Sequence, residues 1–389
     1  MKIRISYLEQ DLLWVIDELI GGLYSINLQT FETKCEIDCK KLFPYGKFSL
    51  QSIIKWKENY IVIIPLEIDR SWIFYHKNTG DVEYRKIVKY KCRERLIATA
   101  KDKNRLYFFP VSLYEPILIV NLNTLICSQM IENWSEKVSG DKFDTAWTGT
   151  YDGQYVFYPQ KNTKNLIRLD GETQNMNQIE LDIPENVIDI NYAFGELWVL
   201  PVHGNKLYQI DENGVVINLV ELLIKNTGDF IPDFARIVVQ KRYLFLLPYY
   251  RKGIYVYDKQ QKEVHIISDK CLELQQSSKE YFLSYWEYYV RNNKICFLPY
   301  LDEYIEINLD TLVYKKRELL YPGIWSDEEK IQKCIWSHIY EQNCTIGETD
   351  ECDLNIFLKY LQFKLNKKKI SNNESIGKNI CKSLASTFY

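Results

Sequence analysis

Six times along this chain a short apolar run ends in proline: YIVIIP (60–65), LYFFP (106–110), YVFYP (155–159), LWVLP (197–201), YLFLLP (243–248) and ICFLP (295–299). Proline cannot donate to a β-ladder and is confined to strand ends and edges, so each run reads as a strand that stops where the proline stands. Pro65, Pro110, Pro159, Pro201, Pro248 and Pro299 follow one another at spacings of 45, 49, 42, 47 and 51 residues. LLWVI (12–16) is a seventh copy, with Asp17 in the place of the proline.

Each copy has the same surroundings. A strand candidate such as Phe48–Trp56, Leu96–Ala100, Ala146–Tyr151, Val187–Tyr192 or Tyr285–Val290 comes first, followed by a polar turn and then the proline-terminated run. After the proline a variable loop leads to an alternating strand (SWIFYH, PILIVNL, NLIRLD, KLYQID, GIYVYD, YIEINLD). A turn rich in Asn, Asp, Gly or Thr and a more polar fourth segment close the unit. Four short strands in a unit of about 47 residues is the period of a propeller blade. The expected fold is all-β, a seven-bladed β-propeller of four-stranded blades followed by a small α-helical C-terminal tail. Blade one is complete at the N-terminus, with Lys2–Leu8, Leu12–Ile16 and Leu23–Leu28 as its first three strands, so ring closure needs no terminal strand. The alternative, a pair of repeat-containing β-sandwiches, has no reason to keep such a period.

The third strands Ile254-Tyr255-Val256-Tyr257-Asp258, Leu207-Tyr208-Gln209-Ile210-Asp211 and Ile305-Glu306-Ile307-Asn308-Leu309-Asp310 resemble the "Y-V-Y-D" strand of YVTN-type, PQQ-type and SMP-30-like propeller repeats. The resemblance covers about four-fifths of the chain and implies the fold alone. No glycine pair recurs from unit to unit as in kelch repeats, and the Gly-His and Trp-Asp pairs of WD40 repeats are absent.

Composition agrees. The chain is 46% hydrophobic and 26% charged, with 30 Tyr, 17 Phe and 9 Trp, residues that suit half-buried sheet surfaces. A net charge of −3 offers no basic stripe for nucleic acid, and the Lys364–Lys369 cluster reads as a solvated linker. No window approaches the roughly 18 apolar residues of a membrane span. The N-terminus does not resemble a signal peptide, and ten cysteines then indicate reduced thiols and a cytoplasmic location.

From about Tyr321 the spacing becomes helical. Ser326-Asp327-Glu328-Glu329 forms a capping box, and Ile331, Cys334, Ile335, His338 and Ile339 fall on one helix face. Leu354, Phe357, Leu358 and Leu361 repeat the pattern, and a third helix is expected after Ser371. The division is thus 1–320 for the propeller and 321–389 for a helical extension, expected to pack on the propeller or on a second chain as a homodimer contact.

Catalytic motifs are missing: there is no G-x-S-x-G, P-loop, H-E-x-x-H or C-x-x-C. No cofactor is expected. Cys334, His338, Cys344 and Cys352 supply zinc-type ligands, but their spacing matches no standard finger, Cys334 and His338 sit on the apolar stripe, and the set reads as core residues with no metal expected. The loops after each proline share a propeller face with those leading into each inner strand. They mix aromatics with charges, the materials of interface anchors. The candidate binding residues are Tyr249, Tyr250, Arg251, His203, Tyr300 and Arg70 on these loops, with Trp147, Asp189, Trp286 and Glu287 at the upper ends of inner strands. The expected function is non-enzymatic recognition or scaffolding, with a protein or glycan as partner and neither nucleic acid nor membrane. The alternative is a propeller hydrolase or lyase acting on a carbohydrate or small ester, with a metal held at the channel mouth by Asp189 and Glu287.

Overall fold

The computed structural model describes residues 3–17, 22–38, 50–65, 70–90, 96–102, 104–110, 115–131, 134, 149–160, 163–202, 205–222, 234–248, 253–267, 285–299 and 303–318. All of them fall in the first of two compact units, Met1–Pro322. The helices expected in 321–389, and the zinc-type set within them, lie outside the described residues.

The described strands form seven four-stranded antiparallel sheets, each built from four consecutive strands paired in chain order. Blades 1 to 7 span residues 3–38, 50–85, 96–131, 150–180, 187–221, 234–267 and 285–318. First strands touch between blades 1 and 2, 3 and 4, 4 and 5, and 5 and 6, and the first strand of blade 7 touches that of blade 1. The first strand is therefore innermost, around a central channel. The ring closes by side-chain packing with no strand exchanged, as expected from the N-terminal sequence.

The proline-terminated runs become the second strands: Tyr60–Pro65, Arg105–Pro110, Tyr155–Pro159, Glu196–Pro201, Tyr243–Pro248 and Lys294–Pro299, with Leu12–Asp17 in blade 1. Their unbroken apolar character follows from their place. Successive side chains on a strand point to opposite faces, and here both faces are covered by a neighbouring blade. Ile61 and Ile63 pack with Trp14 and Ile16 of blade 1, whereas Val62 and Ile64 pack with Phe108 and Leu118 of blade 3. Seven such clusters fill the seven junctions between blades. Each fully buried Leu, Ile or Phe contributes about 1.5–3 kcal/mol, so the junctions are the main source of stability.

A second repeat is carried by the turn between third and fourth strands. The last polar residue of each third strand, or its immediate successor, bonds forward into the turn: Asn27, His76, Asn121, Asp170, Asp211, Asp258 and Asn308 accept backbone N–H groups two to four residues on. The turn then needs a left-handed residue, found as Phe31, Gly80, Leu125, Gln174, Gly214, Lys262 and Leu312. The backbone N–H of each donates to the carbonyl of the capping residue at 2.7–3.0 Å. Leu125 is apolar in a conformation that costs L-residues about 1–2 kcal/mol, and its side chain offsets the strain by packing into the junction of blades 2 and 3. Asn121→Ala removes two bonds, to the N–H groups of Asn123 and Thr124. It is expected to lower stability by about 1–2 kcal/mol, measured by denaturant unfolding of the two proteins side by side.

Candidate functional site

The two ends of the ring differ. At one end, first-to-second-strand turns take two or three residues and third-to-fourth-strand turns four or five. At the other, the second-to-third-strand loops take three to six residues, and the connections from one blade to the next range from six to eighteen. The first end is stitched together: the backbone N–H of Leu28, Lys77, Leu122, Gly171, Lys259 and Leu309 each donates to a carbonyl in the facing turn of its own blade. Turn lengths at the first end differ by one residue at most, and the large length variation falls at the second end, the loop face.

A β-bulge marks the root of the loop face. In blades 1, 2, 3, 5, 6 and 7 the register slips by one residue where the first strand meets the end of the second. In all but blade 1 the residue opposite is the repeat proline, which has no N–H to keep the ladder in step. Bulges bend a strand and re-aim the side chains that follow. The first residue past the bulge is Asp189 in blade 5, Arg236 in blade 6 and Glu287 in blade 7, opposite Leu200, Leu247 and Leu298. Each lies twelve residues before its proline. The register therefore brings two of the expected residues, Asp189 and Glu287, to one level of the channel wall and puts a cation between them in chain order.

Asp189 is 4% exposed. One of its carboxylate oxygens accepts the backbone N–H of Ile237 on the next inner strand at 2.9 Å. Asn191 accepts from Val239 and Thr150 from Tyr192 in the same manner. These inner-strand N–H groups lie at the channel edge and have no further strand to pair with, so the preceding blade satisfies them. Asp189 thus has a role in the fold whatever else it does. Arg236, absent from the sequence-based set, is half-buried, with its guanidinium carbon 5.6 Å from the ring centre of Tyr288. That is the geometry of a cation held over an aromatic face. The signal that finds it is the count of twelve back from Pro248.

Further out on the loop face, the Trp134 indole N–H donates to the Glu115 carbonyl at 2.7 Å, and the Glu115 side chain is buried. Gln160, directly after Pro159, is 1% exposed, and its amide oxygen accepts from Gln178. Burial, then the carboxylates of Glu185 and Glu221, push the Tyr208 hydroxyl above its ordinary range. Of the remaining expected residues, Arg70 is exposed just ahead of the third strand of blade 2. Trp286 and Glu287 hold positions on the first strand of blade 7, and their side chains lie outside the description. Tyr249, Tyr250, Arg251, His203, Tyr300 and Trp147 lie outside the described residues. Among the described residues no three His, Cys, Asp or Glu side chains gather as a metal site requires.

No protein-family model matches this chain, and no curated protein matches its sequence. Solved structures do match. Virginiamycin B lyase from Staphylococcus aureus superposes with a TM-score of 0.53 at 10% identity, over 77% of this chain and 92% of the lyase. PorZ, a surface component of the type-IX secretion system of Porphyromonas gingivalis, superposes with a TM-score of 0.52 at 12% identity. That match covers 84% of this chain and 39% of PorZ. The chain is a generic seven-bladed β-propeller. At such identities the likeness carries the fold and no role, and a lyase and a secretion component among the neighbours illustrate why.

Proposed function

We propose that this propeller is a non-enzymatic recognition module that binds a protein or glycan partner through its loop face. The observation that carries the reading is the contrast between the ends of the ring: one end holds short, hydrogen-bonded turns of nearly constant length, and the large length variation falls on the other. Variable connections on a rigid scaffold are where binding function is usually placed. The loop sequences add aromatic and Arg residues, with Tyr249, Tyr250 and Arg251 directly after a repeat proline as the first choice of anchor. Arg236 argues against the catalytic alternative, because a divalent cation between Asp189 and Glu287 would meet a guanidinium at the same level of the wall.

The test uses full-length protein on a glycan array and as bait for protein partners, beside a variant with Tyr249, Tyr250 and Arg251 changed to Ala. Retention of a partner by the parent and its loss by the variant, with melting temperatures within about 2 °C, is the expected result. Unfolding of the variant would assign the three residues to the fold. Metal-dependent turnover of an ester or carbohydrate that Asp189→Asn abolishes would replace this reading with the catalytic one.

A further inference from the structure

The opposite, turn face carries an anomaly on blade 5. Its first turn is Phe194-Gly195, with φ of 56° and 80°. Two left-handed residues in a two-residue hairpin are the setting for Asn-Gly, because Asn and Gly tolerate that conformation. Blade 7 meets the same demand with Asn292 and Asn293. Blade 5 instead holds a phenylalanine that is 61% exposed, a position that is strained for a bulky side chain and gains little from burial. The same blade exposes Val215 in its other turn and Ile217 and Leu219 on its outermost strand. Strain at an exposed aromatic is an outlier from which a contact role is a reasonable inference.

What lies beside it gives the chemistry. The turns of blade 6, residues 240–242 and 259–262, hold Lys241, Arg242, Lys259 and Lys262 and no carboxylate, and in no other blade do the two turns carry a net positive charge. This group is adjacent to the Phe194 hairpin, because Glu196 at its foot bonds the Lys259 ammonium at 2.5 Å. Backbone hydrogen bonding from Lys259 to the Arg242 carbonyl joins the two turns of blade 6. Lys259 is committed to Glu196 and Arg242 to Asp258, while Lys241 and Lys262 are exposed.

We propose that the turn face at blades 5 and 6 is a second interaction surface, distinct from the loop face, that takes an acidic protein segment carrying an apolar side chain. The apolar residue lies on Phe194, and the segment's carboxylates face Lys241 and Lys262. A positive patch beside an exposed aromatic matches such a segment in both charge and apolarity, and the charges set orientation and approach rate. The contact is accordingly salt-sensitive, as exposed charge pairs are.

The probes are short fluorescein-labelled peptides in which Glu or Asp alternates with Leu or Phe, and matched peptides with Lys in place of the acids. Binding to full-length protein is read by fluorescence anisotropy. The acidic set is expected to bind and the basic set not. Phe194→Asn and the pair Lys241→Glu with Lys262→Glu should each weaken binding at least 10-fold, as should raised salt. The Tyr249, Tyr250 and Arg251 triple change should leave this binding intact, so failure here and failure of the loop-face reading are distinguishable. Phe194→Asn should also raise the melting temperature by about 1–3 °C, since Asn suits the turn that strains Phe. Equal binding of acidic and basic peptides, absence of binding, or indifference to Phe194→Asn would overturn the proposal. So would a lowered melting temperature in that variant, which would make Phe194 a residue of the fold.

Discussion

Phe109→Ala is expected to destabilise this protein by about 3–5 kcal/mol, the cost of emptying a fully packed aromatic site. Phe109, on the second strand of blade 3, is fully buried. Its ring lies flat on that of Tyr158, the equivalent strand of blade 4, at 4.2 Å between centres and 5° between planes. The stack is possible because Gly149 lies against it: a Cβ there would fall 2.9 Å from the Tyr158 ring and 2.8 Å from the Phe157 carbonyl. Both aromatic residues immediately precede a repeat proline, so the stack pins the roots of two adjacent loops. Phe109→Leu retains most of the buried area and loses the stacking, worth about 0.5–1.5 kcal/mol, so it should fall well short of the alanine change. Chemical unfolding of the two variants, with Tyr158→Leu and the double change, separates burial from stacking. Equal losses in Phe109→Ala and Phe109→Leu would mean that the ring's volume is not what holds this junction.

The propeller was legible in the sequence because its determinants are local. A strand covered on both faces must be apolar throughout, and a proline at its end leaves a mark at each repeat. Pro65, Pro110, Pro159, Pro201, Pro248 and Pro299 all occupy the ends of second strands. The expected first strand Ala146–Tyr151 overlaps the observed Thr150–Tyr151, and residues 146–148 fall outside the description. The turn caps were half-legible: the Asn and Asp clusters were visible, but His76 fills the same role in blade 2 without belonging to that residue class.

The bond from Asp189 to Ile237 was not legible at all. Its donor is a backbone N–H 48 residues away, and any residue but proline at position 237 would supply that donor. For the same reason a carboxylate near the channel read as a ligand when part of it serves the neighbouring strand. Arg236 belongs to no motif and directly follows no repeat proline, whereas the register selects its position whatever residue fills it. The left-handed φ of Phe194 carries no sequence signal, since Phe is a residue that such a turn should avoid.

The second large effect concerns acid. Asp258 ends the third strand of blade 6 with its side chain 1% exposed. One carboxylate oxygen receives both the Nε–H and an Nη–H of Arg242, at 2.9 and 2.6 Å. The other accepts the N–H groups of Gln260 and Gln261. Burial alone would push this carboxyl up, but Arg242 and the two backbone donors outweigh it and hold the group below its ordinary value. Glu9, bonded to Lys55 and Lys77 across the junction of blades 1 and 2, is held down by the same competition. A carboxyl whose pKa is lower in the folded state contributes stability that is fully present above the unfolded value, about 4, and is lost as pH falls through the folded value. Stability should therefore be flat from neutral pH down to about 5 and fall below it. Asp258→Asn keeps an acceptor for the turn and gives up the charge. It should lose about 1–2 kcal/mol at pH 7, and the gap from the parent should narrow as pH falls below about 4. Asp258→Ala strips both the turn and Arg242 of their acceptor and should lose about 2–4 kcal/mol at pH 7. Urea unfolding of the three proteins between pH 3 and 7 reads both effects. A gap between parent and Asp258→Asn that stays constant across that range would show that the carboxylate charge does not contribute, and that Asp258 acts only as a hydrogen-bond acceptor in its turn.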